Sequence, residues 1–363
     1  MNGLLPEGFH DRLPPHADAA AALERRVLDV ARAYGYEQVD PPLAEFEDSL
    51  GARLKAASAK DAVRFTDPVS RRTLAIRPDI TAQVGRIAAT RMAHHPRPVR
   101  LSYAGQVLKL RASELRPERA MRQIGCELIG RDSVAAAREI VTVAVEALEA
   151  AGVTGLALDF TLPDLIEQLA PDMAADALMR LRDRLDAKDA AGVAAIDPAF
   201  LPLIEAAGPF ETAIERLRAH DRNGVLASRL DGLAAVAEAV SGKVALTLDP
   251  TERHGFEYQS WIGFSLFAQG VRGEIGRGGS YSVIGADGEE PAVGFSLFAD
   301  SILDAGLTNG DRRRVFLPVG TNAAKAAALR REGWAAVAAL DADDSAAAQL
   351  CTHQLIDGKP VAL

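Results

Sequence analysis

Residues 103–130 read YAGQVLKLRASELRPERAMRQIGCELIG. Just upstream, Val99, Leu101 and Tyr103 point one way and Arg100, Ser102, Ala104 and Gln106 the other, which is the period of a strand. A second strand is predicted over 123–129, ended by Gly130. Between them runs a charged loop with Arg111, Arg116, Arg119 and Arg122 against Glu114 and Glu118. Gln123, Gly125 and Glu127 share one face of the second strand, since strand side chains alternate. An amide and a carboxylate flanking a bare glycine suit a small polar ligand, notably an ammonium or imidazole N–H. The same pattern also fits a solvent-facing antiparallel sheet closed by a salt-bridged hairpin loop.

Working outward, Ser133 is a plausible cap for a helix running to Ala151, with Gly152 closing it. Upstream, Leu23, Val27, Val30 and Tyr34 recur with helical spacing, and Gly35 stands where a C′ glycine belongs. Pro41-Pro42 forces an extended link. Residues 61–76 read as two short strands around DPVSRR, followed by Arg77-Pro78-Asp79 and a helix over about 80–92. Residues 163–240 are rich in Ala, Leu, Asp and Arg at helical spacing, which predicts an inserted helical segment.

Strands resume at 244–248 and 256–268, the latter with Phe256, Tyr258, Ile262, Phe264 and Leu266 on one parity. Gln269-Gly270 turns the chain back. Gly276-Arg277-Gly278-Gly279-Ser280 reads as flexible backbone near a sheet, most simply a tight turn. Gly285-Ala286-Asp287-Gly288 is a hairpin signal, and 291–305 reads as a helix. GFSLFA occurs at 263–268 and 294–299; in apparently different settings, the match reads as coincidence. Residues 314–363 form a small α/β appendage. Helices and strands come in blocks, which predicts an α+β domain over 1–310 with a largely antiparallel sheet.

The chain has 363 residues, 48% of them hydrophobic and 25% charged, in keeping with a globular protein. A net charge of −9 argues against gripping phosphate backbone as its main task. Cys126 and Cys351 are the only cysteines, too few for a disulfide framework or a thiolate cage. No apolar run is long enough for a membrane span, and the first residues do not read as a signal peptide. A cytosolic chain is expected. No second histidine or cysteine is spaced for metal, and neither a Walker-type phosphate loop nor a G-x-S-x-G elbow is found.

Two further segments carry candidate chemistry. In LAIRPDIT, residues 74–81, Asp79 ahead of an apolar helix is an N-cap or a receiver for a ligand's amino group. In RHGFEYQSWIG, residues 253–263, an aromatic strand accounts for Phe256, Tyr258 and Trp261, and His254 alone is weak evidence for a ligand or base.

Taken in order, these segments resemble the catalytic domain of class II aminoacyl-tRNA synthetases, most closely histidyl-tRNA synthetase, over about residues 5–305. LPEGFHDRLPP resembles that family's start, and AYGYEQVDPPLAE its dimer-forming first motif. LAIRPDITAQVGR resembles its LRPE-G-T segment, and 103–130 its second motif. RHGFEYQSWIG resembles its histidine-specific R-G-L-D-Y-Y element, and GGSYS with PAVGFSLFADSI its third motif. The resemblance implies a class II antiparallel sheet flanked by helices.

The departures from that family carry as much information. At the third-motif Glu-Arg, whose arginine holds the ATP phosphates, the chain reads Asp300-Ser301. The first arginine of the second motif falls on Lys109, a point charge that replaces a bidentate fork poorly. GGRYD has become GGSYS, and the paired tyrosines Glu257-Tyr258. The appendage is about half the length expected of an anticodon-binding domain.

The pattern is similar to the synthetase paralogues that serve as regulatory subunits of ATP phosphoribosyltransferase. That resemblance implies a non-catalytic chain that activates the short-form catalytic subunit, dimerises within a hetero-octamer and takes part in histidine feedback on the first step of histidine biosynthesis. No cofactor, metal, tRNA or membrane partner is implied. By position, Asp79, Thr81, Gln123, Glu127, Arg253 and Tyr258 are the histidine-pocket candidates, and Lys109 and Arg119 lie near a former phosphate site. The alternatives are a vestigial pocket kept for packing, a divergent histidyl-tRNA synthetase or other adenylating ligase, and a stand-alone amino-acid sensor.

Overall fold

The computed structural model describes residues 4–51, 62–111, 118–253, 259–285, 288–303 and 313–363. Helix α1 (His16–Ala33) buries Leu23, Val27 and Ala31 and stops at Gly35, whose φ of +83° suits a residue without a Cβ. Strand β1 (Glu37–Gln38) follows. A small sheet in the order β2-β4-β3 comprises β2 (Ala44–Phe46), β3 (Val63–Thr66) and β4 (Thr73–Ile76), with α2 (Glu47–Gly51) after β2. Helix α3 (Thr81–Thr90) comes next.

The decisive stretch forms the antiparallel pair β5 (Val99–Leu108) and β6 (Ala120–Ile129). Helix α4 (Val134–Ala151) starts at Ser133, whose hydroxyl accepts from the Ala136 N–H, and ends at Gly152 with φ +91°. After β7 (Leu156–Thr161) comes the helical segment: α5 (Leu165–Leu169), α6 (Ala175–Asp186), α7 (Ala190–Ile196) and α8 (Leu201–Glu205). The two-residue strand β8 (Gly208–Pro209) precedes α9 (Phe210–His220) and α10 (Ala227–Glu238). Then follow β9 (Ala245–Leu248), β10 (Gln259–Ala268), β11 (Gly276–Gly285), β12 (Gly288–Phe298) and α11 (Ala299–Leu303).

These strands make one nine-stranded sheet, β1-β5-β6-β12-β11-β10-β7-β9-β8, antiparallel except where β1 meets β5 and β7 meets β9. Its two faces are covered differently. Ile124, Cys126, Leu128, Phe264, Phe295 and Leu297 pack with α1 and α4 in the larger core. Leu101, Tyr103, Tyr281 and Phe298 pack with Ile80, Val84 and Ala88 of the α3 region on the opposite face.

The contact pattern divides the chain into Met1–Leu307 and Thr308–Leu363. In the second unit, β13 (Arg314–Leu317), α12 (Ala323–Arg331), β14 (Ala335–Ala338), β15 (His353–Ile356) and β16 (Lys359–Ala362) build a sheet in the order β14-β13-β15-β16. Val315, Leu317, Ala326 and Leu329 form its core.

Three local expectations are corrected. The helix expected over 291–305 is mostly β12, and only Ala299–Leu303 is helical. Residues 292–298 are all buried, and a short continuous apolar run of that kind cannot be told from a helix by periodicity. The glycine-dense 276–280 is not a tight turn but part of β11 within the sheet. The two GFSLFA copies are not in different settings either: both are strands antiparallel to β11 in the same register. Phe264 and Phe295 both pair with Gly278, and Ser265 and Ser296 both with Arg277. A methyl on Gly278 would collide with the Phe264 ring and the Gly294 carbonyl, so the bare strand between them admits both copies.

Candidate functional site

The face of the sheet under α3 carries Gln123, Gly125 and Glu127 from β6. In register beside them are Tyr103 of β5 opposite Gly125, and Ser296 and Gly294 of β12. This face is not solvated: Gln123 and Glu127 are each 1% exposed. The gap at Gly125 is already occupied, because a Cβ there would strike the Tyr103 hydroxyl and the Phe295 carbonyl. Gly294 is bare for the same reason, with the Glu127 carboxylate in its side-chain space.

Arg77 sets the approach to this face. Its nearly buried guanidinium donates to the Pro41 carbonyl at 2.7 Å, the Gln106 carbonyl at 2.8 Å and Gln83 Oε1 at 3.2 Å, in the space Gly105 leaves. Two residues on, Asp79 Oδ1 accepts the Thr81 N–H at 2.7 Å. The residue directly before α3 is Ile80, and its N–H donates at 3.0 Å to Gln123 Oε1. Asp79 and Gln123 therefore share the helix start between them.

From there a continuous hydrogen-bonded chain runs across the sheet. Gln123 Nε2 donates to Asp79 Oδ2 at 3.3 Å and to Ser296 Oγ at 2.7 Å. Ser296 Oγ meets the Tyr103 hydroxyl at 2.9 Å, and Thr81 Oγ1 lies 3.3 Å from that same oxygen. Tyr103 donates to Glu127 Oε1 at 3.1 Å, and Tyr281 donates to Glu127 Oε2 at 2.7 Å. Burial pushes the Glu127 carboxyl up to about 8, against the lowering effect of its hydroxyl partners. Burial, with Glu127 and Asp79 nearby, also pushes the Tyr103 phenol up. The arrangement is a largely buried, acceptor-rich cluster carrying two carboxyl groups, and its described acceptors are met by donors from within it.

Asp79, Thr81, Gln123 and Glu127 are thus brought together. The remaining candidates are not part of that chain. Arg253 is bound at the end of α6: its N–H donates to Asp186 Oδ1 at 2.8 Å, and its guanidinium lies 3.5 Å from Asp183 Oδ1. Tyr258 lies outside the described residues. Lys109 and Arg119 meet across the base of the β5–β6 hairpin, where the Lys109 N–H donates to the Arg119 carbonyl at 2.8 Å. The Arg119 N–H donates to the Gly8 carbonyl, and its guanidinium lies 4.9 Å from the Phe9 ring centroid.

Beside this hairpin, Arg122 pairs with Glu24, and its N–H donates at 2.8 Å to Asp300 Oδ2. Asp300 Oδ1 pairs with Arg12. Asp300-Ser301 belongs to α11, so a hydroxyl stands where the resemblance calls for a phosphate-binding arginine, directly after a carboxylate turned toward Arg12.

Sequence reasoning missed Tyr103, Tyr281 and Ser296. Tyr103 shares the parity of Leu101 in the sequence, but its place opposite Gly125 comes only from the β5–β6 register. Among the described residues, no group of three His, Cys, Asp or Glu is placed to hold a metal ion, and no helix is long and apolar enough to cross a membrane.

The family model described as histidyl-tRNA synthetase matches residues 8–302. A protein of Rhodospirillum centenum named ATP phosphoribosyltransferase regulatory subunit is 44% identical over 369 residues, covering 98% of this chain and 95% of that protein. Among solved structures, an ATP phosphoribosyltransferase regulatory subunit/histidyl-tRNA synthetase from Bacillus halodurans C has a TM-score of 0.80 at 19% identity, with 96% of each chain covered. A chain of the ATP phosphoribosyl transferase (HisG:HisZ) complex from Thermotoga maritima has a TM-score of 0.60 at 18% identity, covering 79% of this chain and 98% of that one. These structural likenesses establish the class II synthetase fold.

Proposed function

The chain belongs to the family of ATP phosphoribosyltransferase regulatory subunits, built on the histidyl-tRNA synthetase fold, and from that premise we propose that it docks onto the short catalytic subunit and raises its phosphoribosyl-transfer rate without adenylating an amino acid itself. The reaction it regulates is the first step of histidine biosynthesis. The working assembly is a hetero-octamer in the cytoplasm, and free histidine is its feedback signal. A HisG:HisZ complex gives the Thermotoga maritima structure its name.

One observation carries the non-catalytic reading. Adenylation builds negative charge on a transferring phosphoryl group and needs cations aimed at it before the reaction begins. At the position of the third-motif arginine stands Ser301, and the preceding Asp300 takes Arg12 and the Arg122 N–H. A hydroxyl supplies no cation for the phosphates, and Arg12 and Arg122, the latter also held by Glu24, are engaged within the chain.

The cluster of Asp79, Thr81, Gln123 and Glu127 supports histidine as the regulatory ligand, with Arg253 and Tyr258 as further contacts. An α-ammonium or imidazolium group would favour the ionised form of Glu127, so binding would release a proton near neutral pH. Calorimetry in buffers of different ionisation enthalpy reads that proton directly. A heat independent of buffer would count against Glu127 as the contact.

Size-exclusion chromatography with the short catalytic subunit tests the docking: a stable complex is expected, and separate elution would remove the proposal. The retained amino-acid half favours one second reading, a divergent histidine-adenylating ligase. Histidine-dependent ATP–pyrophosphate exchange separates the two, with background turnover expected.

A further inference from the structure

Helix α6 ends in a way that local preference disfavours. The Lys188 N–H donates to the Leu185 carbonyl and the Asp189 N–H to the Arg184 carbonyl, and Lys188 itself adopts φ +52°. That is the left-handed closing position where glycine is favoured and a side chain is strained. A lysine there has a use that glycine lacks. Its ammonium donates to Asp249 Oδ1 at 2.6 Å and to Thr251 Oγ1 at 2.7 Å, in the turn that leaves β9.

The turn is held on every side. Asp249 donates its N–H to the Phe160 carbonyl of β7, and Asp249 Oδ1 also accepts the Thr251 N–H at 3.2 Å. Thr161 Oγ1 donates to the Glu252 carbonyl at 2.8 Å. Thr251, 6% exposed, reaches the Leu185 carbonyl of α6 at 3.4 Å. The last residue of this run is Arg253, whose N–H goes to Asp186 Oδ1 and whose guanidinium faces Asp183. Asp183, Leu185, Asp186 and Lys188 are consecutive points along one helix end, and all of them face the run from Asp249 to Arg253.

We infer that the end of α6 sets where Arg253 stands, with Lys188 and Asp186 as positioning residues through which the helical segment controls the ligand arginine. The inference rests on the reading of Arg253 as a ligand contact given above. It extends that reading by making the helical segment part of the site's regulation. Two charged or charge-assisted hydrogen bonds fix the turn, and these are the strong kind.

The test uses the full chain and two readouts. Lys188→Gly removes the ammonium while relieving the left-handed strain, so the melting temperature should hold or rise. The amides of Thr251, Glu252 and Arg253 should then exchange with deuterium about tenfold faster, the loss expected when a hydrogen bond to a charged group disappears. Lys188→Arg should keep the protection, as should Asp186→Asn, which retains an acceptor, whereas Asp186→Ala should not. L-histidine titrated onto the same variants should bind about tenfold more weakly to Lys188→Gly and normally to Lys188→Arg. Unchanged exchange in Lys188→Gly overturns the inference, as does unchanged histidine affinity with loosened amides. Absence of histidine binding by the wild-type chain would sink the ligand reading instead, and the exchange arm would still decide whether α6 holds Arg253.

Discussion

The large unit holds two polar regions with opposite electrostatic habits. On one side Asp79, Gln123, Ser296, Tyr103, Tyr281 and Glu127 form an unbroken polar chain inside the sheet, with Gly125 and Gly294 leaving room for it. On the other side Arg12, Arg119 and Arg122 are spent on Asp300, Phe9 and Glu24. The first region is largely buried, with its acceptors paired to one another's donors. The second keeps its cations but has turned them inward. The polar chain and the internally paired arginines are thus two separate networks within one fold.

The two regions should respond differently to mutation. The largest effect belongs to the polar side: Gly125→Ala forces the Tyr103 hydroxyl and the Phe295 carbonyl apart and should cost about 3 kcal/mol by chemical denaturation. A loss well under 1 kcal/mol would mean the cluster is looser than drawn.

Next comes the pH dependence. The folded Glu127 carboxyl, with a pKa of about 8, keeps a proton that the unfolded one, near 4.5, has released. Wild-type stability should therefore fall as pH rises from about 5 through 8. Glu127→Gln should flatten that slope and be more stable than wild type above pH 8 by on the order of a few kcal/mol. Parallel slopes for the two proteins would refute the assignment.

On the nucleotide side, Arg12→Ala leaves Asp300 its Arg122 N–H and should lower stability by about 1 kcal/mol. Smallest of all, Ser301→Arg should leave ATP–pyrophosphate exchange at background, since Lys109, Ser280 and Ser282 are untouched. Appreciable exchange would show that one residue separates the two functions.

Much of this architecture is legible in the text. The capped helix between Ser133 and Gly152 and the alternation around Tyr103 carry their own periods, and both elements form as written. The order of blocks gives the antiparallel sheet. Strand β12 is not legible, because a run buried on both faces shows no period to read. Nor is the equivalence of the two GFSLFA strands, which becomes visible only through their shared neighbour β11.

In the site, Gln123 and Glu127 could be placed on one face from parity alone. The tyrosines that close it could not, since their hydroxyls act from other strands and only cross-strand register brings them in. Arg253 was assigned by resemblance, and its local partners on α6 are long-range in sequence.

The account turns on docking in place of adenylation. The most direct measurement is the rate of phosphoribosyl-ATP formation by the short catalytic subunit as the purified chain is titrated in. A rise that saturates at equimolar chains is predicted, reversed in part by added histidine. A rate indifferent to the chain at every ratio would contradict it.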